Sequence, residues 1–440
     1  MKQNARFVKG REAKSEYGER FAQEKADSKT MGMSCMIQAR ECDRPVRYTP
    51  PPFAAKLTEE QFRSRIDEKY GWHCGNFWWL ELGGDGDSVG DTERVRDRLV
   101  PIAYGVWDYI KNSGKYDADN WELAFIGFLP GKRESNRYVG DYVLTQNDID
   151  LCRAFDDEIA YGGWPVDDHD PRGFDFDGPP NWVHSKPHPY PIPYRTLYSV
   201  NIENLFFAGR NISCSHLACS SSRVMGTCAL VGQAVGAAAF IAVTRKLTPR
   251  GVLGHIAELK QLLRDVDCFL INTPRRLSKA ALNGQYNLSA EQTALITSGI
   301  ERTVEGQKAG VAIDCGNALE LKFAHTEFVK RIRIVLDSDL ARTFLSEDDY
   351  CFDTRLYPMR NHLHLDEKEM IMPPRLMKRG KTEYLSGGEW KTAAEIEDNS
   401  KRLLTVPLNR MADGIRVVPL SVWDGDKAGI LSLDITEIDY

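Results

Sequence analysis

The stretch NLFFAGRNISCSHLACSSSRVMGTCALVGQAVGAAA, residues 204–239, decides the fold of this 440-residue chain. Its apolar start, residues 205–208, predicts a strand that turns at Gly209, because glycine lets the backbone approach a ligand closely. A helix rich in Gly, Ala and Val is predicted to begin near Gly226. The N-terminus of such a helix presents free N–H groups and a partial positive charge, which stabilise an anion. The stretch therefore has the form of half a nucleotide-binding site.

This stretch closely resembles the C-terminal flavin-contacting motif of the FAD-dependent oxidoreductases, especially a bacterial group whose catalytic region precedes a β-rich tail. Further segments are similar to the same group and follow its order, namely residues 10–34, 78–84, 138–148, 160–173 and 190–199. The resemblance implies an α/β fold, with a partial Rossmann-like FAD-binding domain and an inserted α+β substrate domain. It also implies FAD as the cofactor.

The chain departs from that family at the unit that holds the ADP part of FAD. Members open with a strand, a GxGxxG turn and a helix. The nearest glycines here are Gly84, Gly86 and Gly90, but the third is one position late, and a loop is the better prediction. We therefore expect the ADP-binding unit to be absent from this chain. An internal start, a fragment, or a separate chain that supplies the unit would each account for this.

The length and the 42% hydrophobic content predict two or three domains. The resemblance places a substrate domain, with a remnant of the FAD domain at its start, at residues 1–200, and the C-terminal half of the FAD-binding domain at 201–272. Short period-two segments then predict an all-β sandwich over 285–440, similar in layout to galactose-binding-like jelly rolls. Within it, residues 340–397 fit the pattern poorly and are predicted to form long loops.

Four further helices follow from apolar spacing and from capping signals. Thr58 and Gln61 form a capping box ahead of a short helix. Helical spacing of apolar residues predicts helices over about residues 91–112, 145–162 and 252–266. These elements would frame the substrate domain and close the α/β part.

Charge and cysteine content bear on three questions: nucleic-acid binding, metal binding and the cellular compartment. A net charge of −6 with interspersed signs excludes a basic footprint for nucleic acid. The ten cysteines show no zinc spacing, so no metal site is predicted, and their dispersal indicates a reducing compartment. We expect a cytoplasmic protein, or an exported one if a signal peptide has been lost. Residues 226–243 reach the length of a membrane span, but their Gly and Ala content and Gln233 favour a buried cofactor-domain helix.

Two histidines are the candidates for proton transfer. Flavin accepts the hydride, so the protein must place the substrate and take up the accompanying proton, for which histidine is the usual residue. His216 follows the Gly209 turn and is the first candidate, with a loop-holding role as the alternative. His169 is the second, since it lies among Asp167, Asp168 and Asp170. A metal site at His169 is the less favoured alternative, because contiguous residues cannot all face one ion.

Three arginines match positions at which the family also carries arginine: Arg137, Arg195 and Arg223. Each guanidinium could bind a substrate carboxylate, a sugar hydroxyl or a flavin phosphate, or could instead form a structural salt bridge. The predicted catalytic set is His216, His169, Arg195 and Arg137. The residues that the resemblance implies as FAD contacts are Ala208, Gly209, Arg210, Asn211, Ser213, Arg223, Gly226 and Thr227.

Aromatic residues could line a binding site for a sugar or another ring-shaped substrate, since flat rings stack on pyranose faces. Core packing is at least as good an interpretation for any one of them. The candidates are Trp72, Phe77, Trp78, Trp79 and Trp164.

These observations lead to one functional expectation with two alternatives. The first is the C-terminal portion of an FAD-dependent oxidoreductase that oxidises a C–H or C–N bond of a small polar substrate, with carbohydrates among the candidates. One alternative is a non-catalytic fragment or carbohydrate-binding module. The other is one half of a split flavoenzyme, completed by a separate chain that carries the ADP-binding unit.

Overall fold

The computed structural model describes residues 4–63, 65–66, 72, 77–302, 307–338, 362–366 and 372–437. The chain divides into two compact units. The first comprises Met1–Ile256 and Phe344–Lys368, and the second comprises Ala257–Thr343 and Glu369–Tyr440. The domain boundaries expected from the sequence, at 200, 272 and 285, stay a prediction.

The first unit mixes helices with short strands. Its helices are α1 (Lys14–Tyr17), α2 (Glu59–Arg63), α3 (Thr92–Asn112), α4 (Gln146–Asp150), α5 (His216–Ser222) and α6 (Met225–Arg245). Its strands are β1 (Phe7–Val8), β2 (Met33–Ser34), β3 (Ile37–Glu41), β4 (Glu81–Leu82), β5 (Trp121–Ile126), β6 (Gly131–Lys132), β7 (Arg137–Tyr138), β8 (Glu158–Gly162), β9 (Val166–His169), β10 (Asn181–Ser185) and β11 (Tyr190–Pro193). Single 3-10 turns occur at Gly173–Asp175, Tyr194–Thr196 and Arg250–His255.

The named strands of this unit pair antiparallel in small sheets. The pairs are β1 with β7, β3 with β5, β8 with β11, β9 with β10, and β2 with both β4 and β6. In the described part of the unit, parallel pairing occurs only as isolated bridges, one of which joins Leu144 to Cys214. The mixed α/β character agrees with the fold class expected for this part of the chain.

Two predicted elements of the first unit are wrong in extent. The helix expected from 145 to 162 ends at Asp150, because Cys152 has a φ of 43°, which a right-handed helix cannot include. Residues 158–162 instead form β8, paired with β11. The strand expected over 205–208 is reduced to one bridge between Tyr198 and Phe206. By contrast, α2 follows the predicted contact of the Thr58 N–H with Gln61 Oε1, at 2.9 Å, and α3 has nearly the predicted bounds.

The core of the first unit contains most of the aromatic residues that were candidates for substrate binding. Trp72, Phe77 and Trp79 are buried, and they pack with the apolar face of α3. For these three residues the core interpretation therefore holds. Trp164 is 46% exposed, and Trp78 is half-buried, so these two side chains remain accessible.

Helix α6 begins at Met225, as its sequence predicts, but it is largely exposed. It is the one described helix that is long and apolar enough to cross a membrane, and a third of its 18-residue apolar stretch is buried. Met225, Phe240 and Val243 are 89%, 61% and 78% exposed. The expectation of a buried helix is therefore wrong for this face. The opposite face, which includes Ala234, is the buried one.

The second unit is an antiparallel β domain preceded by short helices. Its helices are α7 (Ile256–Asp265), α8 (Lys279–Asn283) and α9 (Ala290–Ile296). Its strands are β12 (Gln285–Tyr286), β13 (Val311–Asp314), β14 (Leu319–Leu336), β15 (Met377–Ser386), β16 (Glu389–Ile396), β17 (Leu403–Val422) and β18 (Lys427–Thr436). The sheet order is β13-β18-β14-β17-β15-β16, with β12 paired to β14.

The long strands β14 and β17 change partners at register shifts. Residues 319–322 of β14 pair with residues 414–417 of β17, which also pair with β15. After the shifts, residues 331–335 pair with residues 403–407 of β17 and with β18. Apolar residues from both halves of each strand belong to one core. The domain is therefore a sandwich whose two layers share bent strands.

The expectation of long loops over 340–397 is wrong where the structure describes the segment. Residues 377–386 and 389–396 are β15 and β16, joined through Gly387 and Gly388, whose φ angles are 63° and 82°. Lys, Arg, Thr and Glu dominate these strands, so the sequence lacks a clear apolar alternation. Residues 340–361 and 367–371 of the predicted loop lie outside the described residues.

Candidate functional site

The loop after Gly209 leads into α5 through a short parallel contact. Gly209 has a φ of 93°, a conformation that favours glycine. The Leu144 N–H donates to the Ser213 carbonyl at 3.0 Å, and the Ser215 N–H donates to the Leu144 carbonyl at 2.8 Å. Ser215 then caps α5, since its side chain accepts from the Ala218 N–H. His216 is thereby fixed as the first residue of α5.

His216 is held between two carboxylates in a buried position. Its Nδ1 lies 2.8 Å from Glu134 Oε2, and its Nε2 lies 2.9 Å from Asp168 Oδ1. Its backbone N–H donates to Glu12 Oε2 at 2.9 Å. Each ring nitrogen of His216 therefore lies within hydrogen-bonding distance of a carboxylate oxygen. The side chain predicted to manage a proton is thus held in one orientation between two acidic groups.

The carboxylate of Asp168 is kept ionised by its neighbours. Burial alone would raise its pKa, but the charge of His216 and hydrogen bonds from His184 and His216 outweigh that effect. The pKa of Asp168 is consequently lowered. His184 is itself stacked on Phe21, with ring centroids 4.6 Å apart. Asp168 thus faces two histidines.

Arg137 belongs to the same cluster, because it contacts two of the carboxylates around His216. Its guanidinium pairs with Glu134 and with Glu12, and it donates to the carbonyls of Gly10, at 2.7 Å, and Cys214, at 3.0 Å. The side chain is 1% exposed. Arg137 was predicted as a catalytic residue, but all these partners are internal, so its observed contacts are those of a residue that positions Glu134 and Glu12.

His169 forms a second histidine centre that is joined to the first through β9. Its Nδ1 lies 2.6 Å from Glu81 Oε2, and its Nε2 lies 3.5 Å from Asp167 Oδ2. Arg133 lies 3.2 Å from Glu81. Burial would raise the pKa of Glu81, but the charges of Arg133 and His169 outweigh it and lower the pKa.

Arg223 reaches this second centre from the end of α5. Its Nη2 lies 3.6 Å from Asp167 Oδ2 and donates to the Asp167 carbonyl at 3.3 Å. Three of the predicted residues, His216, His169 and Arg223, are therefore linked through the consecutive side chains of β9. The fourth, Arg137, joins them through Glu134.

Arg195 is not joined to this cluster by any contact of the described chain. Its guanidinium makes a two-point contact with Asp157, at 2.9 and 3.0 Å, and its own N–H donates to the same carboxylate. Its planar face also lies over Tyr142. These contacts are those of the structural salt bridge considered as its alternative role.

Several buried side-chain atoms near the residues implied as FAD contacts have no hydrogen-bond partner in the described structure. The buried unpaired atoms of this segment, which are some of those in the described chain, are Arg210 Nε, Ser213 Oγ, Ser222 Oγ and Arg223 Nε. Buried polar atoms are normally paired, so such a group indicates a ligand or water at the site. Asn211 is half-buried beside them, and Ala208 is exposed at the turn.

The first turn of α6 is open. Val224, its N-cap residue, makes no side-chain capping bond, and a methyl group added at Gly226 would meet no described atom within 4 Å. Thr227, one residue further, is buried. The exposed N–H groups of such a turn suit an anionic or electron-rich ligand. Together with the unpaired atoms, this turn provides open hydrogen-bonding capacity for a ligand.

A small cavity borders His216 on the other side. It has a volume of about 50 Å³ and is lined by Arg11, Glu12, Glu19, Phe21, Ala22, Gln23, Asp168, His216 and Leu217. Water occupies about 30 Å³ in the liquid, so this space suits one or two water molecules rather than a substrate. His216 and Asp168 both border this space.

Three acidic residues of the site were missed or undervalued from the sequence: Glu12, Glu81 and Glu134. None of these three glutamates was among the predicted site residues. Glu81 lies in the segment 78–84 quoted for the family resemblance, and Glu134 lies three residues before Arg137. A carboxylate inside a resembling segment was the available signal, but its histidine partner is 82 to 88 residues away and is set by the fold.

One known protein family matches the first part of the chain. Residues 1–263 match the family described as FAD dependent oxidoreductase. No curated protein matches the chain.

Solved structures resemble part of the chain only weakly. The family 32 carbohydrate-binding module of Streptococcus pneumoniae EndoD is 14% identical and covers 28% of this chain and 69% of its own, with a TM-score of 0.18. The family 32 module of C. perfringens NanJ, solved with galactose, is 11% identical over 36% of this chain and 97% of its own, with a TM-score of 0.22. Chitosan-binding module 1 from Paenibacillus sp. IK-5 is 11% identical over 36% and 98%, with a TM-score of 0.23.

The family match spans more than half of the 440 residues and includes every residue of the cluster around His216 and His169. This chain belongs to the FAD-dependent oxidoreductase family.

Proposed function

We propose that this chain forms the flavin- and substrate-facing part of an FAD-dependent oxidoreductase that oxidises a C–H or C–N bond of a small polar substrate by hydride transfer to flavin. The observation that carries the proposal is the group of unpaired buried polar atoms, Arg210 Nε, Ser213 Oγ, Ser222 Oγ and Arg223 Nε, beside the open first turn of α6. When bound there, FAD supplies the two-electron acceptor.

The chain's own residues would hold the cofactor from two sides. The turn at Gly209 would bring the backbone of Arg210 and Asn211 close to the cofactor. Ser213 and Arg223 would provide side-chain donors to it. The first turn of α6, with Gly226 and Thr227, provides backbone N–H groups. Donors placed in advance at a site of developing negative charge are the largest electrostatic contribution that a protein makes to such chemistry.

The proton released by the substrate would be handled by His216 and its two carboxylates. Both ring nitrogens already contact carboxylate oxygens, at 2.8 and 2.9 Å. We propose that His216 Nε2 and Asp168 Oδ1 hold the proton between them, and that the small cavity beside them passes it to water. Glu134 and Arg137 then act as positioning residues for the ring.

We propose a carbohydrate as the first substrate class to test. Trp164 is 46% exposed, and its carbonyl is anchored by the Ser221 hydroxyl on α5, at 2.5 Å. This contact fixes the backbone of Trp164, and its exposed indole can stack on a pyranose face. Its attachment to α5 keeps it beside the helix that carries His216.

A second candidate is a flavoenzyme half that is completed by another polypeptide. The observation that favours it is the exposed apolar face of α6, with Met225, Phe240 and Val243 between 61% and 89% exposed. Helices that are apolar on an exposed face normally pack against a partner. We propose as that partner a strand–GxGxxG–helix unit, which would also supply the ADP contacts that the described residues lack.

A flavin-binding experiment tests the first proposal. The purified chain is incubated with excess FAD, free ligand is removed, and the absorbance bands near about 370 and 450 nm are measured. We expect the bands to stay with the wild-type chain and to be lost in Gly226→Val. Gly232→Val is the matched control, because a side chain at either glycine meets no described atom within 4 Å. Equal flavin retention in both variants would place the cofactor elsewhere.

Comparing FAD with FMN distinguishes the two candidates. If the chain contacts only the ring side of the flavin, FMN should bind within a few-fold of FAD in a titration followed by fluorescence. A much stronger affinity for FAD would indicate an ADP site within this chain and would contradict the need for a partner. A chain that binds neither flavin leaves the non-catalytic carbohydrate-binding alternative.

A further inference from the structure

Residues 362–366, with the sequence His-Leu-His-Leu-Asp, lie against β3 in the first unit. The Leu363 N–H donates to the Ala39 carbonyl at 2.9 Å, and the Glu41 N–H donates to the Leu363 carbonyl at 2.7 Å. Leu363 thereby forms a parallel bridge with Arg40. The two hydrogen bonds fix which residue of the segment lies beside each residue of β3.

Three side chains with metal-binding chemistry meet beside this bridge: Glu41 at the end of β3, His364 and Asp366. One imidazole nitrogen or carboxylate oxygen from each lies within 4.8 Å of the corresponding atoms of the other two. His364 Nδ1 lies 3.8 Å from Glu41 Oε2, and the Leu365 N–H donates to the same oxygen at 3.0 Å. The fold therefore brings one imidazole and two carboxylates together.

Packing orients two of these three side chains. The His364 ring lies edge to face with Trp121, with centroids 4.9 Å apart, and Trp121 pairs with Glu41 in the β3–β5 register. His362, two residues earlier, is buried, and its Nδ1 accepts a backbone N–H of β3 at 3.1 Å. The side chains of His364 and Glu41 are 14% and 30% exposed, and Asp366 is exposed. The carboxylate of Asp366 can therefore turn towards the other two from solvent.

We propose that Glu41, His364 and Asp366 bind one divalent transition-metal ion, with Zn²⁺ as the ion to test first. An imidazole nitrogen together with carboxylate oxygens is a donor set that zinc uses, whereas Ca²⁺ and Mg²⁺ prefer oxygen ligands alone. The two carboxylates balance the charge of the ion. Zinc bonds of about 2.0–2.1 Å in a tetrahedral site place the ligand atoms about 3.4 Å apart. A small approach from the observed 3.8 Å therefore brings His364 and Glu41 to the required separation.

The ion would tie residues 364–366 to the end of β3, and water would fill its remaining coordination positions. Because the three groups meet only when the segment lies on β3, metal binding would stabilise the folded chain. Cysteine spacing predicted no metal site, and this group contains no cysteine. The inference is independent of flavin binding, since none of the three residues belongs to the cluster around His216 and His169.

Zinc binding by the full chain tests the proposal. Metal is removed with EDTA, the EDTA is dialysed away, and Zn²⁺ is titrated in competition with a chromophoric chelator of known affinity. We expect the wild-type chain to bind one equivalent and to melt at a higher temperature when zinc is present. Glu41→Gln and Asp366→Asn, which keep the size of each side chain, should weaken zinc binding at least about tenfold, and His364→Ala should do the same.

The matched control is His325→Ala, because His325 is an exposed histidine on β14. Its zinc affinity and the melting shift caused by zinc should equal those of the wild type. Far-UV circular dichroism of each variant without metal shows whether it is folded.

Several results would overturn the assignment. A wild-type chain that binds no equivalent of zinc would exclude the site. Equal affinity in the wild type, Glu41→Gln and Asp366→Asn would place the ion elsewhere, with the centres at His216 and His169 as the next positions to test. Tighter binding of Ca²⁺ or Mg²⁺ than of Zn²⁺ would contradict the donor set. Because the two amide variants preserve side-chain size, their result decides the matter even if His364→Ala folds poorly.

Discussion

Each unit of this chain contains a buried cluster of charges, and the two clusters differ in kind. In the β domain, Arg333 is fully buried and makes a two-point contact with Glu301, at 2.5 and 3.0 Å. Arg275 bridges Asp265 and Asp434 at 2.7 and 2.5 Å. These arginines stay charged at any ordinary pH. This cluster therefore consists of permanent cations and carboxylates.

The cluster of the first unit is built on histidines and is incomplete. His216 and His169 each lie between two carboxylates, and two thiols adjoin the cluster. Beside it are the unpaired atoms of Ser213 and Arg223 and a cavity of about 50 Å³. Groups that titrate near neutrality, together with open hydrogen-bonding capacity, are typical of a reactive site. Burial of charge alone does not distinguish the two clusters; the chemistry of the buried groups does.

The largest expected effect tests the structural cluster. Arg333→Met removes a cation that Glu301 and the carbonyls of Arg264 and Asp265 all contact. A buried carboxylate without its partner is costly, so we expect urea unfolding to show a loss of about 3–5 kcal/mol. The double variant Arg333→Met/Glu301→Gln should recover much of that loss, because it leaves no buried charge unpaired.

The matched control for Arg333 is a surface pair of the same domain. Arg379 contacts Glu397 at 2.7 Å, but both side chains are more than half exposed. Arg379→Met should leave the urea midpoint unchanged. If Arg333→Met were equally silent, the cluster in the β domain would not be structural, and the comparison between the two clusters would fail.

A smaller effect, with a pH dependence, is expected at Asp168. Its pKa is lowered in the folded chain, so its contribution to stability is fully present above the unfolded pKa of about 3.9 and is lost as the pH falls below it. We expect Asp168→Asn to lower the free energy of unfolding by about 2–3 kcal/mol at pH 7. The difference from wild type should shrink as the pH approaches 3. Urea unfolding at pH 7, 5 and 3 checks this.

The control for Asp168 is Asp175, whose contact with Arg98 is exposed on both sides. Asp175→Asn should not produce a pH-dependent difference of this kind. A difference for Asp168→Asn that stayed constant from pH 7 to 3 would mean that the carboxylate contributes by packing rather than by its charge.

Local patterns predicted the elements that are held by local forces. The apolar spacing over 91–112 and the Gly and Ala run after Gly226 correspond to observed helices. The period-two segments at 311–314, 319–323 and 329–336 correspond to observed strands. The hairpin β15–β16 was missed because its polar surface hides the alternation of the strands. The helix expected to continue past Asp150 was wrong because residues 158–162 pair with β11. That pairing partner is distant in the sequence, so the local pattern did not reveal it.

The candidate site was predictable as residue types but not as contacts. His216, His169 and Arg137 stand out as functional groups in resembling segments, and the structure joins them. Their partners Glu81 and Glu134 could not be predicted, since each pairing spans more than 80 residues and depends on how β4, β9 and α5 meet.

The smallest expected effect separates Arg195 from the histidine cluster. Arg195→Gln removes a two-point contact with Asp157, but the Arg195 side chain is 39% exposed, and its backbone N–H still donates to the same carboxylate. We expect a loss of about 1 kcal/mol or less in urea unfolding. Flavin retention should equal that of the wild type, because no described contact joins Arg195 to the loop at Gly209. Loss of flavin from Arg195→Gln with stability preserved would instead return Arg195 to the predicted catalytic set and extend the reactive cluster beyond the residues linked through β9.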